Sequence, residues 1–333
     1  MEEYHYLLDL ALILFTTKLF GLISQKFKMP QVVGALLAGL ILGPAVLNIV
    51  QKSNFITTTS EIGVIILMFC AGLETDVKEL KKCGKASFVI ALLGVIVPLL
   101  GGFGIAYFFN QPGIIDSGAT CNVFLQNVFI GVILTATSVS ITVETLKELG
   151  RLKSESGNAI LGAAIIDDIL GIIALTVITS LADSSVNVWI VLLKILGFFA
   201  MVVVAGFAFY KLYVWWANRS KHLRHRHAII CFVFCLGMSY AAEALFGVAD
   251  ITGAFFAGLI ISLTQSSEYL AKKFDVLSYL LLSPIFFASI GLNVVLPSMS
   301  VQIIVFAVVI TIVAIITKVI GCGLGAKICG YKK

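Results

Sequence analysis

Asp167 and Asp168 stand side by side in Gly162-Ala163-Ala164-Ile165-Ile166-Asp167-Asp168-Ile169-Leu170-Gly171, surrounded only by small and apolar residues. A carboxylate in such surroundings binds either a proton or a cation. Competition for one group of this kind is the simplest physical basis for exchanging the two. A second stretch, Thr135-Ala136-Thr137-Ser138-Val139-Ser140, supplies four hydroxyls in six residues. Hydroxyls there serve to satisfy backbone freed by local unwinding or to coordinate a cation; the alternative is ordinary Ser/Thr packing between helices. Lys318 is the third polar residue of interest. It lies late in an apolar run, before a glycine cluster, where it either snorkels to an interface or acts as an internal counter-ion to the carboxylates.

The elements that carry these residues are read from composition. The chain has 333 residues, of which 59% are hydrophobic and only 12% charged, with a mean hydropathy of +1.06. Soluble chains carry about 25% charged residues. The apolar residues come in blocks of about twenty, the length that crosses a bilayer as a helix. The fold class is therefore an all-α polytopic membrane protein. A net charge of +5, lying between the blocks, gives no footprint for nucleic acid. Seven cysteines, with neither a CxxC pair nor a Cys/His zinc spacing, read as small hydrophobes.

Eleven apolar segments are expected, near 5–24, 30–50, 56–73, 86–109, 123–143, 159–182, 188–217, 228–246, 251–264, 277–296 and 301–320. The ninth is short for a full crossing. From a start near Ala159, the aspartate pair lies roughly 12 Å deep, close to the middle of a hydrocarbon core about 30 Å thick. Each aspartate there costs about 2.5–3.5 kcal/mol on the insertion scale. Intramembrane carboxylates held at such a cost mark ion or proton pathways.

Eighteen Lys and Arg residues fall in the alternate loops that begin after the first span, and Lys52 alone falls on the other side. That asymmetry places the N-terminus outside and the C-terminus in the cytoplasm. Asp9, Lys18, Glu61, Glu74, Lys194, Glu243 and Asp250 lie in or near span ends, where an interface accommodates them. His222, His225 and His227 fall with arginines in one cytoplasmic loop and read as part of a solvated basic segment.

An internal repeat is also visible. Gly34-Ala35-Leu36-Leu37-Ala38-Gly39-Leu40-Ile41 and Gly253-Ala254-Phe255-Phe256-Ala257-Gly258-Leu259-Ile260 agree at six of eight positions, 219 residues apart. The same offset relates Gly72-Leu73 to Gly291-Leu292, and Gly102 and Gly104 to Gly321 and Gly323. Seven spans lie between the copies. An odd number inverts the second copy, an arrangement typical of secondary transporters. The expected organisation is one membrane transport domain over 1–333, with a first repeat about 1–182, a linker helix about 188–217 and a second repeat about 228–333. Mates of the fifth and sixth spans would fall near 342–362 and 378–401, so the second repeat is expected to lack two helices.

The segments MPQVVGALLAGLILGP, TATSVSIT, GAAIIDDILG, ITGAFFAGL, SPIFFASIGL and TKVIGCGLGAK together resemble the monovalent cation:proton antiporters, second branch. The resemblance spans nearly the whole chain. It implies an inverted-repeat sodium/proton antiporter fold of thirteen helices, about eleven of them present here, forming a homodimer in a bacterial plasma membrane. It implies no cofactor and no enzyme activity, with Na+, K+ or Li+ and protons as the transported ions. By position, Asp168 is the principal cation- and proton-binding carboxylate, and Asp167 is its partner, pairing with Lys318 when the ion is absent. Thr137, with Thr135 and Ser138, lies at the crossover of a broken fifth helix. The combination of two aspartates and a lysine implies electrogenic exchange. Two readings stand beside antiport: the membrane module of a gated potassium-efflux system, and a non-transporting membrane subunit. A membrane hydrolase fails, since neither HExxH nor GxSxG occurs.

Overall fold

A computed structural model of the chain describes residues 4–111, 122–182, 187–219, 224–296 and 300–331. Cys121, Lys221, His222, Lys332 and Lys333 lie outside the described residues. Among the described residues the secondary structure is entirely helical, and nine helices are long and apolar enough to cross a membrane. Two shorter apolar helices, Gln31–Leu42 and Asp250–Ser262, complete the eleven apolar segments expected from the sequence.

The chain divides into two compact units. The first comprises Met1–Val77, Ser140–Lys153 and Phe198–Pro297. It contains α1 (His5–Lys26), α2 (Gln31–Leu42), α3 (Asn54–Glu74), α6 (Val139–Glu148, from its second residue), the later part of α8 (Val188–Arg219), α9 (Arg224–Phe246), α10 (Asp250–Ser262), α11 (Ser267–Leu277) and α12 (Ser283–Leu292). The second comprises Lys78–Val139, Ser154–Gly197 and Ser298–Lys333. It holds α4 (Val77–Phe109, from its second residue), α5 (Val123–Thr135), α7 (Glu155–Ala182), the start of α8 and α13 (Val301–Ile328).

Glycines set the helix crossings of the first unit. A Cβ on Gly39 of α2 would lie 2.0 Å from the Ala288 carbonyl oxygen of α12, and one on Gly291 of α12 would lie 2.4 Å from the Leu36 carbonyl oxygen. The α3/α10 crossing repeats this pattern, with Gly72 facing the Phe255 carbonyl at 2.2 Å and Gly258 facing the Phe69 carbonyl at 2.3 Å. Only a residue without a side chain allows backbones so close, and in lipid such close packing replaces the hydrophobic drive between helices. Around these crossings Ile13, Leu42, Val50, Ile56, Ile285, Ala288 and Leu292 form one buried cluster.

Several boundaries differ from the sequence expectation for local reasons. α2 stops at Leu42 rather than near 50, because Gly43 turns to extended backbone and Pro44 follows, which disfavours helix before it. α9 ends at Phe246 where Gly247 adopts φ +63, and the Gly247 and Val248 amides close onto the Glu243 and Ala242 carbonyls. The tenth segment begins earlier, as α11, and passes through a π-helical turn, Ser278–Leu282, into α12. Pro284 in the first turn of α12 lacks the N–H that a regular helix would use there.

In the second unit, α4 starts at Val77 and α13 runs on to Ile328, both beyond the expected edges. The glycine cluster after Lys318, which reads as a helix end in the sequence, is a crossing instead. A Cβ on Gly321 would meet the Leu93 carbonyl oxygen at 2.5 Å, and one on Gly325 would meet Ile90 Cα at 2.8 Å, both on α4. Gly102 of α4 likewise approaches Gly131 of α5, at 2.8 Å from its would-be Cβ. Ile90, Ala91 and Ala163 are the buried centre of this unit's α4/α7 contact. On α7, the Ser154 hydroxyl caps the first turn by accepting from the Gly157 amide at 3.0 Å.

Candidate ion-binding site

The expected fifth span is two helices, α5 and α6, separated by Ala136, Thr137 and Ser138. Ala136 is in extended backbone conformation, so α5 ends abruptly at Thr135. Its last carbonyls lose their helical donors, and one of them is taken up by a side chain. Lys318 Nζ donates to the Thr135 carbonyl oxygen at 2.7 Å. The same ammonium donates to both carboxylate oxygens of Asp167, at 2.9 and 3.1 Å, and to the Gly94 carbonyl oxygen of α4 at 3.0 Å.

Lys318 is therefore not at an interface. It sits well inside the 28-residue α13, and its three N–H directions are spent on one carboxylate and two backbone carbonyls. Asp167 is buried, and Thr137 adds a hydrogen bond to its carboxylate. A buried ion pair is tolerated only when its remaining donors and acceptors are satisfied, and this one meets that condition.

Asp168, one residue on, is turned about 100° around α7 by helix geometry. It is half-buried, and no hydrogen bond to its carboxylate is found among the described residues. The pair is thus asymmetric: one carboxylate is neutralised from within the protein and the other is open.

The hydroxyl-rich stretch contributes unevenly. The Thr135 hydroxyl turns back to the Val132 carbonyl at 2.7 Å, so Thr135 enters the site through its backbone. Thr137 reaches Asp167, and Ser138 lies in the break itself. Among the described residues, no group of three or more His, Cys, Asp and Glu side chains is placed to hold a metal ion. A cation here would draw on carbonyl and hydroxyl oxygens beside a single carboxylate. Gly94 is the contributor that sequence reasoning missed. The sequence does not single it out, because Pro98, four residues later in the same apolar span, reads equally well as a kink.

Several charges outside the site have specific partners. Lys147 at the end of α6 bridges Glu74 of α3 at 3.2 Å and Asp275 of α11 at 2.8 Å. Glu148 accepts from the Gln31 amide at 2.7 Å and from Gln25 Nε2 at 3.0 Å. Lys18 donates to the Tyr279 hydroxyl. His227 departs from its expected place in a solvated loop. α9 already begins at Arg224, which buries His227 one turn in, 3.3 Å from the Tyr213 hydroxyl through Nδ1 and against the Trp216 ring.

Comparison with known proteins agrees with this architecture. The family described as sodium/hydrogen exchanger, transmembrane, matches residues 11–333. A Bacillus cereus protein named probable Na(+)/H(+) antiporter GerT is 40% identical over 326 residues, covering 97% of this chain and 83% of the relative. A second B. cereus protein, the Na(+)/H(+)-K(+) antiporter GerN, is 39% identical over 334 residues, covering 99% and 82%. The solved structure of the sodium proton antiporter MjNhaP1 from Methanocaldococcus jannaschii superposes with a TM-score of 0.67 at 21% identity, over all of this chain and 80% of that one, which shows a shared fold. The chain is a multi-pass integral membrane protein with this antiporter fold, and it belongs to the sodium/hydrogen exchanger family.

Proposed function

We propose that the chain exchanges a monovalent cation, Na+ or K+, for protons across the membrane by alternating access, with Asp168 alternately holding the cation and the proton. The observation that carries this reading is the asymmetry of the pair. Lys318 compensates Asp167, whereas Asp168 is half-buried beside it with its oxygens open. One open carboxylate in a dry site gains most by binding one small cation or one proton, and cannot hold both. Thr137, which hydrogen-bonds the adjacent Asp167, and Ser138 in the same helix break would supply oxygens to complete a cation's shell. The names of the B. cereus relatives support Na+ and, in one case, K+ as the cation.

The reading extends to an inverted repeat, supported by the matching glycine crossings. Gly39 and Gly291 join α2 to α12, while Gly258 and Gly72, each 219 residues from its counterpart, join α10 to α3. It places the N-terminus outside and the C-terminus inside, on the Lys/Arg asymmetry. It takes the bacterial plasma membrane from the relatives' source and a homodimer from the family resemblance. The test is purified protein in proteoliposomes carrying an internal pH dye. Addition of Na+ or K+ should collapse an imposed pH gradient with the unaltered chain and leave it standing with Asp168→Asn. Equal collapse with both would remove Asp168 from the role.

A further inference from the structure

We infer that Pro98 is a positioning residue for Lys318: by removing one backbone donor it turns the Gly94 carbonyl into a fixed resting place for the lysine ammonium. The inference rests on the antiport reading for its consequence, but its geometry stands on its own.

α4 is helical on both sides of Pro98. In a regular helix the carbonyl of residue 94 accepts from the amide of residue 98, and proline has no amide hydrogen to give. The Gly94 oxygen is thereby left open inside an apolar helix, a costly state unless something else donates to it. Lys318 Nζ does so at 3.0 Å. Gly94 is the other half of the notch. A Cβ there would lie 2.9 Å from Cys322 Sγ and 3.8 Å from Lys318 Nζ, crowding α13 at the turn that carries the lysine. Glycine admits the ammonium, and proline four residues on leaves it an acceptor.

The Thr135 carbonyl is freed in a parallel way, by the end of α5, and receives the same ammonium at 2.7 Å. Two helices have thus each given up one backbone bond to the same lysine. The result is a cradle of two neutral oxygens beside one carboxylate. When Asp167 is discharged by a proton or drawn toward a bound cation, the neutral oxygens keep the ammonium where it is. A lysine held only by Asp167 would be released at that moment into the bilayer interior. The cradle therefore sets how readily Asp167 exchanges its partner, and with it the pH range in which the neighbouring Asp168 is exchanged.

The discriminating substitution is Pro98→Ala. It restores the amide, lets α4 close its own bond to the Gly94 oxygen and places a good helix former in a helix interior, so the variant should fold. Thermal unfolding in detergent is measured for the full chain, Pro98→Ala, Lys318→Gln and the double variant. Alanine at 98 should raise the midpoint more in the Lys318→Gln background than in the unaltered one, by about 2 °C or more. In proteoliposomes, Pro98→Ala should move the pH of half-maximal exchange by about half a unit or more. A proline that merely bends α4 would give additive midpoints and an unmoved pH profile, and either result overturns the inference. If the unaltered chain exchanges no ions, the antiport reading fails, and the unfolding cycle alone still decides whether Pro98 and Lys318 are coupled.

Discussion

The Lys318 ammonium lies 2.9 and 3.1 Å from the two carboxylate oxygens of Asp167, while the carboxylate of Asp168, adjacent in sequence, has no such partner among the described residues. Removing either member of the pair strands the other's charge in a largely buried site. Lys318→Gln and Asp167→Asn should each lower stability by about 1–3 kcal/mol, below the roughly 3–5 kcal/mol of breaking a fully buried pair because the lysine retains some exposure. The double variant should recover part of that loss. A thermal double-mutant cycle in detergent checks this, and strict additivity would contradict the pairing.

Asp168→Asn removes an open acceptor and leaves the Asp167–Lys318 pair in place. Its melting point should match the unaltered chain, with cation-driven dequenching of the pH dye lost. In the unaltered chain, proton and cation compete for that one carboxylate. The apparent KM for the cation should therefore rise as pH falls, by up to about tenfold per unit where the proton form dominates. A KM indifferent to pH would argue against a shared site.

The paired glycines near the ends of α4 and α13 make a finer prediction. Gly102 and Gly321 have backbone within 2.8 and 2.5 Å of a would-be Cβ, whereas Gly104 and Gly323 have nothing within 4 Å. Gly102→Ala and Gly321→Ala should reduce the yield of folded protein and lower its melting point. Gly104→Ala and Gly323→Ala should be neutral or stabilising by up to about 1 kcal/mol, the helix-propensity gain. Fluorescence size-exclusion profiles of the four variants would separate the two classes.

Lys147 bridges two carboxylates from different helices, with side-chain exposures of 14% for the lysine, 21% for Glu74 and 53% for Asp275. Lys147→Met should leave Glu74 and Asp275 as uncompensated like charges. The expected loss is about 1–2 kcal/mol, discounted for the exposed aspartate, and high salt should shrink it. Unfolding at two ionic strengths tests both parts.

The spans and the aspartate pair were legible because each rests on a one-dimensional signal. Hydropathy marks the helices, and a charge at mid-depth stands out against them. The hydroxyls at 135–140 showed that something irregular lay there, but not that Thr135 would serve through its carbonyl. Pro98 gave no clear signal, since a proline in a membrane helix reads equally well as a kink, and only the position of Lys318 reveals what its missing amide is for. The same ambiguity hid the length of α13. Glycines after Lys318 look like a helix end until α4 is seen packed into them. His227 misled for a related reason, because basic neighbours concealed a helix start.

The glycine crossings also bear on how the protein is made. α2 has 12 residues and α10 has 13, about 18–20 Å of helix, too little to cover a hydrocarbon core of about 30 Å. Neither can settle in the bilayer as an autonomous span while the ribosome is still working. α10 finds its glycine partner α3 already inserted. α2 likewise meets α1 at once, where a Cβ on Gly34 would lie 2.3 Å from the Phe20 carbonyl oxygen, but its second crossing, with α12, forms only after residue 283 is synthesised. Between these two events its first amide gains the Glu148 carboxylate as acceptor. Biogenesis of this chain therefore cannot be a sequence of independent insertions: its second span enters leaning on the first and completes its packing only when α12 arrives.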